Sequence, residues 1–453
     1  MSFSKDFVWG AAASSYQIEG AAREDGKGLS VWDVFCQKEG AIWGGQSGDV
    51  ACDHYHKYKE DVALMKQIGL RAYRLSISWP RVMPEGTGAV NSKGLDFYDK
   101  LIDELLAAGI APYVTLFHWD YPNELYGRGG WLNQDSSDWF AEYTGVVVEK
   151  LGDRVKHWMT LNEPQCFIGL GHQNGIHAPG DELTIAEVLA AGHNALLAHG
   201  KAVQMIRAHS KVECKIGFAP VGLVNTPATD SREDVEAARQ ATFSITGKNC
   251  WNNTWWTDPA FFGQYPEDGL ELFGSDVPAM RDSDMKTICQ PLDFFGVNIY
   301  LGMPSRAGKE GKAEGVPLPL GYAMTSMRWP VTPEALYWGP RFFWERYKLP
   351  IFITENGMSN IDWVSLDGKV HDPQRIDFLK RYLLELQKAS EDGVDIGGYF
   401  QWSILDNFEW ARGYKERFGL VYVDYPTQKR VLKDSAYWYK DVIASNGATL
   451  NNP

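Results

Sequence analysis

Ile351-Phe352-Ile353-Thr354-Glu355-Asn356-Gly357 is a β-branched, apolar run that ends abruptly in a carboxylate, an amide and a glycine. Such a run reads as a buried strand whose last residues turn polar at the edge of a core. Far upstream, His157-Trp158-Met159-Thr160-Leu161-Asn162-Glu163-Pro164 has the same form. Each stretch closes an apolar strand with a glutamate beside an asparagine. Two such carboxylates, brought to one place, form a pair fit for acid–base and nucleophilic chemistry.

Whether they meet depends on the strands between them. Eight short apolar runs recur: Phe7–Ala13, Ala72–Ile77, Pro112–Phe117, Val155–Leu161, Lys215–Ala219, Phe294–Ile299, Pro350–Thr354 and Ile396–Trp402. Helical periodicity separates most of them. From Tyr58 to Gly69, residues Tyr58, Val62, Met65 and Ile68 share one face and Gly69 ends it. Leu95 to Ala108 repeats the design with Gly109 after it, and Pro373 to Glu391 opens on a proline. Alternating strands and helices pair in parallel, and eight units close into a (β/α)8 barrel, an α/β fold with long loops at its C-terminal face. The widest gaps, after the fifth and sixth strands, must hold insertions. Gly302–Pro330, rich in Gly, Pro, Lys and Glu and without a period, reads as a long loop. With no change in composition to mark a linker, residues 1–453 are expected to form one catalytic domain.

Composition limits the partners. The 453 residues carry a formal charge of −14, which disfavours nucleic acid and anionic membrane surfaces. No apolar run is long enough to span a bilayer and no secretory leader is visible, so the expected location is cytoplasmic. The six cysteines lack a paired spacing, as reduced thiols would. His54-Tyr55-His56 offers no third metal ligand, Gly169-Leu170-Gly171 is too short for a dinucleotide loop, and Cys166 lacks a thiolate partner. Neither a metal nor a cofactor is expected. The oligomeric state stays open, a homo-oligomer included. The abundance of rings, 18 Trp, 21 Tyr and 21 Phe, suits a large core and also the C–H faces of a sugar.

In barrels of this type the active site lies at the C-terminal strand ends. Those ends carry Gln17 with Glu19, Arg74, His118-Trp119-Asp120, Asn162-Glu163, Asn298 with Tyr300, Glu355-Asn356, and Trp402 leading to Asn407-Phe408-Glu409-Trp410. Singly, a strand-end glutamate is more often a surface acid and a tryptophan more often core. Together, two facing glutamates among neutral amides and indoles suit glycosyl transfer, one carboxyl donating a proton and the other attacking or stabilising the anomeric carbon.

These residues resemble glycoside hydrolase family 1, the β-glucosidases and their relatives, over nearly the whole chain. The resemblance runs through Phe7-Val8-Trp9-Gly10, Tyr16-Gln17-Ile18-Glu19-Gly20, Tyr73-Arg74-Leu75-Ser76, Thr160-Leu161-Asn162-Glu163-Pro164, Thr354-Glu355-Asn356-Gly357, Asn407-Phe408-Glu409-Trp410 and Arg417-Phe418-Gly419. It implies a retaining mechanism with Glu163 as acid/base and Glu355 as nucleophile. Arg74, Asn298 and Tyr300 would serve the nucleophile; Asn162 would meet the sugar 2-hydroxyl. Gln17, His118, Trp119, Trp402, Glu409, Trp410 and Phe418 would form the sugar pocket, and Trp329 the leaving-group wall. Glu409 implies an unphosphorylated glycone, where phospho-glycosidases of the family carry Ser and Lys. Glu163, in place of the Gln of plant thioglucosidases, implies O-glycosides. The expected substrate is a small β-glucoside such as cellobiose or an aryl glucoside. The same pocket leaves β-galactosides and β-fucosides open; a 6-phospho-β-glucosidase and a non-catalytic sugar-binding barrel are further alternatives. Gln165, where Trp is frequent, and Ala335 depart from the pattern and are expected to bear on the leaving-group side.

Overall fold

The computed structural model describes residues 2–309 and 312–452. Eight parallel strands close into a barrel: β1 (Val8–Ala12), β2 (Ala72–Ser76), β3 (Ala111–Phe117), β4 (His157–Asn162), β5 (Lys215–Ala219), β6 (Phe294–Asn298), β7 (Ile351–Asn356) and β8 (Ile396–Trp402). Each pairs with its neighbour in sequence, and β8 returns to β1, with Ala12 opposite Trp402. The pleat sorts the side chains. Ile351 and Ile353 join the large core between barrel and helices, while Phe352 packs inward beside Phe294 and Tyr113. The eight runs read from sequence all become these strands, with ends differing by a residue or two.

The helix read from Tyr58 begins at His54. Its first turn is held by a buried polar pair, His54 Nδ1 to Asp61 Oδ2 at 2.8 Å, which leaves no apolar period to read. Gly69 ends it in the left-handed region at φ 84°, donating its N–H to the Met65 and Lys66 carbonyls.

One expectation is corrected. Gly302–Pro330 is not simply a loop: Gly302–Ala307 pairs in parallel with Val224–Pro227 and antiparallel with Ala313–Gly315. These short strands alternate poorly and lie partly in water, so the hydrophobic pattern that marks a buried strand is missing. Residues 310 and 311 of that segment lie outside the described residues.

Beyond β8, the hairpin Val421–Asp424/Lys429–Leu432 delivers Lys433 into the interior. Lys433 Nζ lies 2.6 Å from both Asp362 and Asp406; Arg375 bonds Asp362 and Asp372, and Arg417 meets Asp406 at 2.6 Å. This network ties the loop after β7 to the loop after β8, where Glu409 stands.

Candidate active site

Both catalytic-looking glutamates sit where their strands break register. On β7 the pairing slips between Ile353 and Glu355 toward β6, and between Ile353 and Asn356 toward β8. On β4 it slips between Met159 and Asn162. Irregularities of this kind re-aim strand-end side chains at the barrel mouth. Glu163 then takes φ 48°, and Pro164 opens the next helix. Trp119 and Trp410 also stand at positive φ, 80° and 50°. A non-glycine residue held there costs about 1–3 kcal/mol, which surrounding contacts must offset. Gly357 shows how tight the mouth is: a Cβ there would lie 1.9 Å from the Trp402 carbonyl oxygen. The strand with Glu355 and the strand with Trp402 therefore touch through bare backbone.

A polar web joins strands β2, β3, β4, β6 and β7. The Arg74 guanidinium donates from Nε to Thr115 Oγ1 (3.2 Å), from Nη1 to the Thr354 carbonyl (3.1 Å) and Glu355 Oε1 (2.5 Å), and from Nη2 to Asn162 Oδ1 (2.6 Å). Only the planar fork of arginine serves four directions at once. Tyr300 donates to the other Glu355 oxygen at 2.7 Å. Asn298 Nδ2 donates to Glu163 Oε1 (2.9 Å) and Asn162 Oδ1 (3.0 Å), while its Oδ1 accepts from Thr354 Oγ1 (2.6 Å). Asn162 Oδ1 accepts from both Asn298 and Arg74, so two linked donors connect Glu163 to Glu355.

Charge is unevenly distributed over this web. Burial, then the charge of Glu355, pushes Glu163 up to about 8, against the hydrogen bond from Asn298. Burial raises Glu355 too, but Arg74 and Tyr300 oppose it directly. Of the pair, Glu355 is thus the first to ionise and Glu163 the one that keeps its proton at neutral pH. Burial and Arg74 hold His118 well below the usual imidazole range, so its Nε2 accepts from the Asn162 amide at 3.1 Å.

The remaining pocket residues gather around this web. His118 lies between Trp402 and Trp410, ring centroids 5.8 and 6.0 Å away, and Trp119 packs on Trp410 at 4.5 Å. Trp119 Nε1 is committed to the Asn162 carbonyl (3.0 Å), so the indole braces the wall. Gln17 Nε2 reaches Asn407 Oδ1 and the Phe408 carbonyl at 3.0 Å and Glu409 Oε2 at 3.3 Å. Glu409 is pushed up to about 8 by burial and then by the charges of Glu355, Glu416 and Glu163. Trp329 stands half-buried across the mouth, 5.1 Å from Tyr300 and 6.1 Å from Phe418.

Gln165 departs from its expected place. It is fully buried and clamps backbone, donating to the Val221 and Asn252 carbonyls and accepting from Val221 N–H, so it does not border the open pocket. Sequence reasoning missed Thr115, which carries no motif, and Glu416 and Ser326, which meet across the loops.

Among the described residues no cluster of three or more His, Cys, Asp or Glu is arranged to hold a metal. His54 and His56 are engaged by Asp61 and by Asp53 with Glu24. No helix of the described residues is long and apolar enough to cross a membrane.

The family model described as Glycosyl hydrolase family 1 matches residues 1–448. A "1,4-beta-D-glucan glucohydrolase" of Thermotoga neapolitana is 46% identical over 449 residues, 99% of each chain. "Beta-glucosidase A" of Acetivibrio thermocellus is 45% identical, again over 99% of each. The solved "Beta-glucosidase from Thermotoga maritima in complex with glucoimidazole" superposes with a TM-score of 0.90 at 46% identity, covering 98% of this chain and 99% of that one.

Proposed function

This chain belongs to glycosyl hydrolase family 1 and is a retaining glycoside hydrolase, and from that premise we propose that it is a β-glucosidase releasing glucose from the non-reducing end of small, unphosphorylated β-glucosides. The observation that carries the site assignment is the hydrogen-bonded chain from Glu163 through Asn298, Asn162 and Arg74 to Glu355, which holds two buried carboxyls at one barrel mouth. A retaining pair needs its carboxyls ~5–5.5 Å apart, and so short a chain of side chains supports that closeness.

In the first step the Glu355 carboxylate attacks the anomeric carbon. Glu163 gives its proton to the departing glycosidic oxygen, so the leaving group departs neutral. The glycosyl ester consumes the Glu355 charge. With that charge gone, one cause of the raised Glu163 value disappears and Glu163 becomes able to take a proton from water. Water, giving its proton to Glu163, then attacks the anomeric carbon from the side the leaving group vacated, which breaks the ester to Glu355, releases glucose and restores both carboxyls. Arg74 and Tyr300 hold Glu355 ionised and aimed; Asn298 orients Glu163.

Asn162 and His118 meet the sugar ring hydroxyls, Trp402 its apolar face, and Gln17, Glu409, Trp410 and Phe418 its far end. A Glu409 carboxylate accepts two hydroxyls and repels a phosphate in the same place. Cello-oligosaccharides and aryl glucosides fit this reading, which sets the enzyme late in cellulose breakdown. Residues 1–453 act as one domain, and six unpaired cysteines fit the reducing cytoplasm.

Turnover of a nitrophenyl β-glucoside by the natural chain but not by Glu355→Ala tests the core of the proposal. Equal rates for the two would overturn it. The matching galactoside, fucoside and 6-phosphoglucoside, assayed side by side, define the glycone.

A further inference from the structure

The leaving-group wall is a thin hairpin with space behind it. Residues 323–331 fold back on themselves, Val331 N–H bonding the Ala323 carbonyl at 3.0 Å and Thr325 N–H the Trp329 carbonyl at 2.9 Å. Trp329 and Met327 face the pocket cluster with Tyr300 and Phe418. Met324, Thr325 and Ser326 line an outer hollow of about 700 Å³, shared with Met358 and Phe378. A wall open on its far side takes its position from its tip. That tip is tied at two points. Ser326 Oγ donates to the buried Glu416 carboxylate, and Ser359 Oγ accepts from Met327 N–H and lies 2.9 Å from Ser326 Oγ. Glu416 follows the Glu409 loop and precedes Phe418, and its charge is felt at Glu409. Its other oxygen lies 3.9 Å from the Lys415 ammonium.

We propose that Glu416 is a positioning residue for leaving-group selection: through Ser326 it latches the Trp329 hairpin to the loop that forms the far sugar pocket, and so sets the width of the leaving-group half. The inference rests on the β-glucosidase reading. Without the latch the hairpin relaxes toward the hollow, and a leaving-group sugar loses its stacking partner while the sugar pocket proper stays intact.

The test compares kcat/KM for cellobiose with that for nitrophenyl β-glucoside in Glu416→Ala, Ser326→Ala and Glu416→Gln. Loss of a positioning hydrogen bond predicts about a tenfold fall in the cellobiose-to-aryl ratio for both alanine variants. Glu416→Gln, which keeps an acceptor and drops the charge, restores the ratio. Binding of a monosaccharide-sized glucoimidazole, which fills only the sugar pocket, stays unchanged in all three. An unchanged ratio in the alanine variants overturns the latch. So does a parallel loss of glucoimidazole binding, which would make Glu416 act on Glu409 instead. Failure of the natural chain to hydrolyse any β-glucoside is a different result and sinks the functional reading itself.

Discussion

Arg74 reaches across the barrel mouth from β2 to Glu355 on β7, Nη1 resting 2.5 Å from Oε1, with both side chains almost wholly buried. In so dry a place the pair has no water to replace a lost partner. Removing one member strands a charge, at a cost of about 3–5 kcal/mol. The arrangement also explains why this carboxyl, and not Glu163, is the better anion.

Arg74→Lys keeps the charge and loses the fork. A lysine can meet Glu355, but not Thr115, the Thr354 carbonyl and Asn162 together. Expected is a fall in kcat of about 10²-fold, the usual scale for a misplaced electrostatic partner, with KM moving less. A kcat within threefold of the natural enzyme would show that the charge alone matters.

Glu163→Gln tests the acid. With the proton near 8 in the free enzyme, kcat/KM should decline as pH rises through that region, because the deprotonated form cannot assist the leaving group. The glutamine variant has no proton to give. It should lose about 10²–10⁴-fold on cellobiose and show no alkaline limb. On a dinitrophenyl glucoside, whose leaving group departs without help, formation of the glycosyl-enzyme should survive and its hydrolysis become limiting. The apparent values belong to the Glu163–Glu355 pair as a whole. Pre-steady-state bursts with and without the mutation read the difference.

The strand ending in Glu355 was legible because Ile351, Phe352 and Ile353 declare a buried strand and Gly357 stops it. The converging amides were legible from their places at strand ends, once eight strands implied closure. What stayed hidden depends on contacts between distant segments. Gly302–Ala307 has no buried face of its own and becomes a strand by pairing with Val224–Pro227. Gln165 looks like a leaving-group residue until the backbone of Val221 and Asn252 arrives to bury it. Ser326 and Glu416 lie 90 residues apart, and nothing local in either marks the other.

Lys433→Met probes the network that anchors the Glu409 loop. Lys433 is fully buried, and burial followed by the nearby Arg375 charge pulls its ammonium below the usual range against the attraction of Asp406 and Asp362. Methionine fills the volume and leaves both aspartates a donor short. We expect about 3–5 kcal/mol of lost stability in urea unfolding. Should the variant unfold at the same midpoint and slope as the natural chain, the network is not a stabilising element.

Glu409→Gln separates recognition from its cost. A carboxyl with a folded value near 8 and an ordinary value near 4.5 binds its proton more tightly in the folded chain. The sign follows: the folded state holds the extra proton between those values, so its stability is full below the lower one and is lost as pH rises toward 8 and beyond. Glutamine carries no such burden. The variant should therefore be more stable than the natural chain above pH 8, by about 1–3 kcal/mol given the pocket's remaining contact with water, and indistinguishable from it near pH 4. Activity should move the other way. A glucoside offers both the 4- and 6-hydroxyl to Glu409, whereas a fucoside lacks the 6-hydroxyl and has less to lose. The glucoside-to-fucoside ratio of kcat/KM should fall about tenfold, in keeping with the loss of one hydrogen bond to the 6-hydroxyl. If stability gained no pH dependence and the ratio held, Glu409 would be neither a strained carboxylate nor the reader of that end of the sugar.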